Sequence, residues 1–411
     1  MRYSGGFHKF LTAPYHVVDR YSKMKTKEDK RRSAFKLPRA AYIIICALPA
    51  AATILFYALR GNSAVMERAA LRVSAPIRAV LGLFSSVYPF SLMELLCVVA
   101  GIWLIIYIIN TIIATIRGRE KLKTLSKRFL HIAVTALYFW GSFCWLWNSG
   151  YYAPGFAEKN GFSGGGVSTE SLCAVAEMFA AKANELSTLV RRDDNGHYNE
   201  DRREIFDAST SIYQNIAAEF PCLNGRINKP KSMLFSWLMS RTGYTGVYFA
   251  LTGESNINTR APLFLIPATI AHELAHQRGV FREDEANFVG ILASVASGIT
   301  VYEYAGYLMG LMHLRSALYS ADYQAWVDLS DSLRIEVNID LQDHYDYWRS
   351  QKTVETGVAF FDNVLTTLTG AVSDTVNTVY DGYLKSHNQE LGLKSYGACV
   401  DLLVEYYSGG K

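Results

Sequence analysis

At 411 residues, half of them hydrophobic and 19% charged, the chain is too apolar for a disordered protein and too charged to be membrane helices throughout. A net charge of +4 over that length gives no general pull toward nucleic acid, and none is expected as a partner. Some membrane spans joined to a water-facing domain fit these numbers best.

The chain opens on a basic tail: residues 1–39 carry eleven Lys or Arg, including the run Lys23–Arg32, against three acids. Three apolar runs follow, Ala40–Leu59, Leu95–Ile116 and His131–Gly150, each close to the roughly 20 residues that a bilayer crossing needs. The first two hold no charge, and the third is aromatic, with Trp145 and Trp147 where an interfacial belt belongs. The segment Arg117–Arg128 holds six basic residues, whereas the stretch after the first run is less basic, with Arg68, Arg72 and Arg78. The positive-inside rule then puts the tail and Arg117–Arg128 in the cytoplasm and everything after Gly150 on the other side. The first apolar run stands behind a long basic tail, so it reads as an anchor rather than a cleaved leader. The expected organisation is a cytoplasmic tail (1–39), three transmembrane helices (40–150) and an extracytoplasmic domain (151–411), in a multi-pass protein of the cell membrane with the lipid bilayer as a partner.

In the exported part, glycines and polar residues mark Tyr151–Ser171 as a linker or loop. Helical patterns cover Glu170–Val190 and Asp201–Glu219. Thr245–Ala250 alternates like a strand, and Ser255–Arg260 forms a second strand across the turn at Thr252–Glu254. From Pro262 onward the pattern is helical, with breaks at Gly279, Gly298, Gly382 and Gly392. Asn287–Tyr302 is apolar and uncharged, but at about 16 residues with acids at both ends it reads as a buried core helix rather than a fourth span. Cys46, Cys97 and Cys144 are apolar fillers of the spans, while Cys173, Cys222 and Cys399 would allow one disulfide. The fold expected is mainly α, with transmembrane helices first and then a mostly helical domain with a small β-sheet ahead of the histidines.

Those histidines lie in the stretch IPATIAHELAHQRGVFREDEANFVG, Ile266 to Gly290. His272 and His276 are four apart, a rotation of about 400° on a helix, so both imidazoles can point at one ion. Glu273 sits beside the first and reaches a water on that ion rather than the ion itself. Pro267 suits the first turn of this helix and Gly279 its end. The plain alternative is a surface helix with polar residues one turn apart. A catalytic zinc takes three protein ligands and keeps a fourth position open. After Gly279 a second helix starting near Arg282 offers Glu283, Asp284 and Glu285.

In these residues the chain resembles the gluzincin metallopeptidases, in which HExxH is followed on a second helix by a glutamate ligand in an ExxxD pattern. Here the match is Glu283–Asn287, ExxAN. The resemblance implies a zincin-like domain and one Zn2+ held by His272, His276 and Glu283, with Glu285 as the alternative ligand. It puts Asn287 where the family's Asp orients the first histidine, although an amide adds no negative charge there. It implies a membrane-anchored zinc metalloendopeptidase (a hydrolase) that cuts a peptide or protein substrate with a zinc-activated water and Glu273 as general base. It also implies an edge strand ahead of the zinc helix, on which Asn256 and Asn258 face the substrate or hold the strand. Downstream oxyanion candidates are Tyr380, Tyr383, Tyr396, His344 and His387, none of them singled out. The longer string TGE…N…P…HELAHQ.G….EAN, from Thr252 to Asn287, is similar to an uncharacterised bacterial family of membrane-tethered proteins, with a weaker echo at Tyr383–Tyr396. Two other readings stay open: a zinc-binding envelope sensor or scaffold without proteolytic activity, and an intramembrane protease with its site inside the bilayer.

Overall fold

The computed structural model describes residues 39–118, 120–352, 359–387 and 396–409. The basic tail before residue 39, the break expected at Gly392 and most of the echo before Tyr396 lie outside them. By contacts the chain divides into Met1–Ala52 and Thr53–Lys411. The described part of the first unit is the start of helix α1 (Arg39–Leu59), which contains Pro49 and continues past the boundary. All later elements belong to the second unit.

A short helix, α2 (Ser63–Ala69), passes through a π turn at Ala70–Ser74 into α3 (Ala75–Ser85). Then come α4 (Leu92–Arg117) and α5 (Lys121–Leu146), each 26 residues. At 1.5 Å per residue such helices run about 39 Å, more than the roughly 30 Å of a hydrocarbon layer. Ile105, Ile109, Ile112 and Ile116 of α4 stand exposed with apolar neighbours all around the helix, which is how a lipid-facing span looks. Both helices are long and apolar enough to cross a membrane, and α1 adds a shorter apolar stretch, Ile43–Leu59. The expected basic loop Arg117–Arg128 is mostly helix, and α5 starts ten residues before His131. Lys121–Arg128 contains nothing that breaks a helix, and its lysines and leucines favour one.

Of the stretch Tyr151–Ser171, expected as a linker or loop, residues 163–168 are a loop, but the residues before them are packed. Tyr151, Phe156 and Phe162 are buried, and the two phenylalanines pack against Phe220 and Phe288 of the main core. The core is built by α6 (Thr169–Leu186), α7 (Ile266–Gln277), α8 (Glu283–Val295), α9 (Thr300–Ala321), the more peripheral α10 (Ile335–Ser350) and, past α11 (Ala359–Ser386), α12 (Tyr396–Tyr407); α11 instead packs Leu384 into a smaller cluster with Trp147, Tyr248 and Phe281. Phe179, Phe288, Leu308, Leu311 and Leu314 are fully buried there, and each such side chain contributes about 1.5–3 kcal/mol on leaving water. Asn287–Tyr302 is a buried core segment, as expected, interrupted where Gly298 takes a left-handed conformation. Asp201–Glu219 forms two short helices, Arg202–Ala208 and Gln214–Glu219, rather than one. Gly382 lies inside α11 and breaks nothing. All six cysteines are unpaired, so no disulfide joins Cys173, Cys222 and Cys399.

The sheet among the described residues has three strands, β1 (Lys231–Ser232), β2 (Gly246–Phe249) and β3 (Glu254–Ile257), in the order β1-β3-β2. β3 runs parallel to β1 and antiparallel to β2, with Tyr248 opposite Ser255 and Val247 opposite Asn256. A buried ion pair fastens this sheet to the start of α4. Glu254 accepts from the backbone N–H of Leu92 (3.1 Å) and Met93 (2.9 Å), and Lys231 Nζ lies 2.6 Å from its carboxylate. Lys231 also donates to the carbonyls of Ser85 and Phe90. In return Glu94 of α4 accepts from the N–H of Leu234 and Phe235. A carboxylate at a helix N-terminus neutralises its unpaired N–H groups. These bonds explain why no compact boundary falls at Gly150. Replacing Lys231 by Met would leave Glu254 buried without its counter-charge. We expect a loss of about 3–5 kcal/mol in unfolding of the detergent-solubilised chain; a loss under about 1 kcal/mol would show that the pair carries no weight.

Candidate metal centre

Helix α7 carries Pro267 in its first turn, where the missing N–H costs nothing. It ends at Gly279, whose φ of +88° lets the chain reverse. Gly279 N–H then bonds His276 O (3.0 Å) and Val280 N–H bonds Ala275 O (3.1 Å), the paired bonds of a left-handed helix end. The reversal brings the Val280 carbonyl back to His276, whose Nδ1–H donates to it at 2.7 Å. With Nδ1 so occupied, neutral His276 presents the lone pair of Nε2 to the site, the usual arrangement behind a metal-bound imidazole.

The chain enters α8 at Glu283. How closely α8 lies on α7 is set at Gly290, where a Cβ would sit 2.8 Å from the amide nitrogen of His272 and 3.0 Å from its Cα. As a result Glu283 Oε2 lies 3.3 Å from His272 Nε2 and 3.5 Å from His276 Nε2. One donor atom from each residue falls within 4.8 Å of the others. Tetrahedral zinc at 2.0–2.1 Å from its ligands needs neighbouring donors about 3.3–3.4 Å apart, so these residues fit such an ion.

Glu273 is buried beside both histidines. It lies against β2, where a Cβ on Gly246 would come 2.6 Å from Glu273 Oε1. Its other oxygen, Oε2, is buried without a hydrogen-bond partner. Burial pushes its carboxyl up, and the neighbouring imidazoles only partly offset that. A carboxylate so placed is more basic than one in water.

Of the remaining expected residues, Glu285 is not at the cluster. It is buried on another face of α8 and accepts from the N–H of Phe156 (2.8 Å) and Ala157 (3.0 Å), capping the short helix Phe156–Lys159. Asn287 is half-buried on α8, but the bond expected from it is not formed: His272 Nδ1 is buried with no hydrogen-bond partner. An amide lacks the charge with which an Asp would draw that N–H. Asn256 and Asn258 do not face a substrate. β3 is the central strand, paired on both sides, and both residues are fully buried. Asn258 Nδ2 donates to Ser240 Oγ and Tyr244 O, and its Oδ1 accepts from Arg260 N, so it holds the turn after β3. The strand beside Glu273 that pairs on one side only, among the described residues, is β2.

Other groups reach the site, and of these only Tyr380 is among the oxyanion candidates that the sequence offers. Arg78, from α3, is buried and donates to the His276 carbonyl at 3.2 Å, with its guanidinium over the Phe281 ring. The ring of Trp147 meets that of His276 edge-on, centroids 5.4 Å apart. His313 on α9 lies near His272; burial first and then the His272 charge push it down to about 4, so it is neutral. Tyr380 of α11 donates to Glu283 Oε1 at 2.8 Å. Its edge-to-face neighbour Tyr244 has a buried hydroxyl with no partner, pushed up to about 12 by burial and then by Glu283. The position of Tyr244 two residues ahead of β2 is the one sequence cue to it. Tyr383 bonds Asn148, and His344 packs beside Phe264 and Trp348. His387 stacks near Tyr383, and the side chain of Tyr396 lies outside those described.

The family described as Protein of unknown function (DUF3810) matches residues 72–404, and the chain belongs to it. No curated protein and no solved structure matches the chain. The family's description carries no activity, so function has to be argued from the site.

Without a metal the cluster is a hydrogen-bonded ion pair. Burial opposes charge on both partners, yet Glu283 and Glu273 lift His276 to about 9, and the two imidazoles hold Glu283 well below the usual carboxylate range. Because the pKa of His276 is raised on folding, the stability it gives the metal-free protein is complete below about pH 6.5 and disappears as pH rises through about 9. Any divalent ion held by these residues would have to displace that proton. Titration calorimetry in buffers of different protonation enthalpy should find about one proton released per ion near pH 7, falling to about half near pH 9 and toward zero above it; no release near pH 7 would contradict this arrangement.

Proposed function

We propose that the chain is a membrane-anchored zinc-dependent metalloendopeptidase, in which His272, His276 and Glu283 hold one zinc ion and Glu273 is the general base. The supporting observation is three donor atoms at ligand spacing beside a buried carboxylate with an unpartnered oxygen. A purely structural zinc site is usually closed by four protein ligands and has no use for such a base. Only three donors converge here among the described residues.

A bound zinc ion would supply Lewis acidity, acidifying a water and polarising a carbonyl. Glu273 takes the proton of the attacking water on Oε2 and passes it to the leaving nitrogen. Its burial suits the task, because a carboxylate in water is too weak a base near neutral pH. The hydroxyl of Tyr244, buried near Glu283 without a partner, is free to donate to the oxygen that gains charge at the carbonyl, whereas Tyr380 uses its one O–H on Glu283. The free edge of β2 offers backbone groups to an extended peptide. In this reading α1, α4 and α5 all span the membrane, with the basic tail and the start of α5 in the cytoplasm and the chain after Leu146 outside. Burial of α8 in the core counts against a site within the bilayer.

The test uses the whole chain in detergent, because Arg78, Glu94 and Trp147 support the site from before Gly150. Metal content should be lost in His276→Ala and Glu283→Ala and kept in Glu285→Ala. Wild type should cleave members of a peptide library, and Glu273→Gln should keep its zinc while losing about 10²–10⁴-fold in rate. Zinc in both proteins with cleavage by neither would favour the sensor or scaffold reading instead.

A further inference from the structure

Away from the histidines, an open cavity of about 550 Å³ lies beside the start of α4. Arg202, Arg203 and Lys229 line it together with the hydroxyl-bearing Ser86, Tyr88 and Ser232. Lys229 is paired with Asp207. The exposed guanidinium groups of Arg202 and Arg203 are in no ion pair among the described residues. The cavity therefore has two cations without a direct ion-pair partner, Arg203 having only the nearby charge of Asp201, and both are of a kind that binds phosphate through paired N–H donors.

One wall of this cavity is the segment that joins α3 to α4. Ser86, Tyr88 and Pro89 face the cavity, while their neighbours Phe84, Val87 and Phe90 are exposed, at 60%, 77% and 47%. The wall is fixed, because Lys231, which also lines the cavity, donates to Ser85 O and Phe90 O. Two residues beyond Phe90 the chain enters α4, a helix long enough to cross a membrane. Cationic and apolar surface thus adjoin at the level where α4 would meet the headgroups.

We propose that this cavity binds the headgroup phosphate of an anionic phospholipid, with acyl chains along Phe84, Val87, Phe90 and the first turns of α4. The continuity of the charged lining with the apolar segment favours an amphiphile over a free anion. Basic pockets beside membrane helices hold anionic headgroups for this reason. The site is separate from the histidine cluster and does not depend on the peptidase reading.

The test measures binding of short-chain (dihexanoyl) phosphatidylglycerol to the full chain in neutral detergent, with dihexanoyl phosphatidylcholine, inorganic phosphate and an oligoglutamate peptide as comparisons. Wild type should bind phosphatidylglycerol about tenfold or more tightly than the Arg202→Gln/Arg203→Gln double variant, and less tightly as salt is raised. Arg202→Lys/Arg203→Lys should keep most of the binding, and Lys182→Gln, an exposed cation outside the cavity, all of it. Both arginines are exposed, so unfolding without lipid should be the same in wild type and the double variant. Equal binding of phosphatidylglycerol by wild type and double variant would overturn the proposal, as would equal binding of phosphatidylcholine. Phosphate or oligoglutamate competing as well as the lipid would reassign the cavity to a free anion or an acidic peptide.

Discussion

The whole candidate site depends on how near two consecutive helices can lie. α7 carries both histidines and α8 carries the carboxylate, and a glutamate side chain spans only a few ångströms. With a side chain at Gly290 the backbone itself would have to shift, because the clashing atoms belong to the main chain of His272. The reversal at Gly279 matters equally. It places Glu283 at the near end of α8 and brings the Val280 carbonyl onto His276. Backbone shape therefore decides both the spacing of the donors and which nitrogen of His276 faces inward.

Around this pair the protein concentrates opposed charges where water is scarce. Two imidazoles, Glu283 and Glu273 share a small buried volume, and their ionisation is coupled. Such a cluster is costly unless its members neutralise one another or a cation joins them. The surroundings reinforce it from distant parts of the chain: Arg78 from α3, Trp147 from the end of α5, Tyr380 from α11. Glu254 and Lys231 tie the sheet beside Glu273 to the start of α4. From Thr53 onward, the apolar helices α4 and α5 and the helical core accordingly belong to one compact unit.

Much of this was legible in the residues alone, for identifiable reasons. Helical spacing fixes that His272 and His276 share a face, and proline and glycine mark both ends of α7 wherever that helix packs. The long apolar helices follow from composition, as does the buried character of α8. The errors came where partners are far apart in sequence. Ser255–Arg260 looked like an edge strand because β1, only two residues long, gave no pattern of its own. Glu285 looked like a spare ligand because nothing nearby shows that it caps Phe156 and Ala157. Arg78 looked like one more loop cation, and Tyr244 carried no mark beyond its place just ahead of β2.

The sequence by itself determined the local parts: a mainly helical chain, apolar helices ahead of it, and two imidazoles and a carboxylate on one helix turn. These depend on periodicity, capping and side-chain chemistry, which act over a few residues. Only the tertiary structure decided that Glu283 rather than Glu285 joins the histidines, that β2 rather than β3 carries the free edge, and that Arg78, Trp147, Tyr244 and Tyr380 surround them. Those outcomes depend on which helix faces turn toward each other and how closely they approach. That is a property of packing between segments many residues apart, and no short stretch of sequence contains it.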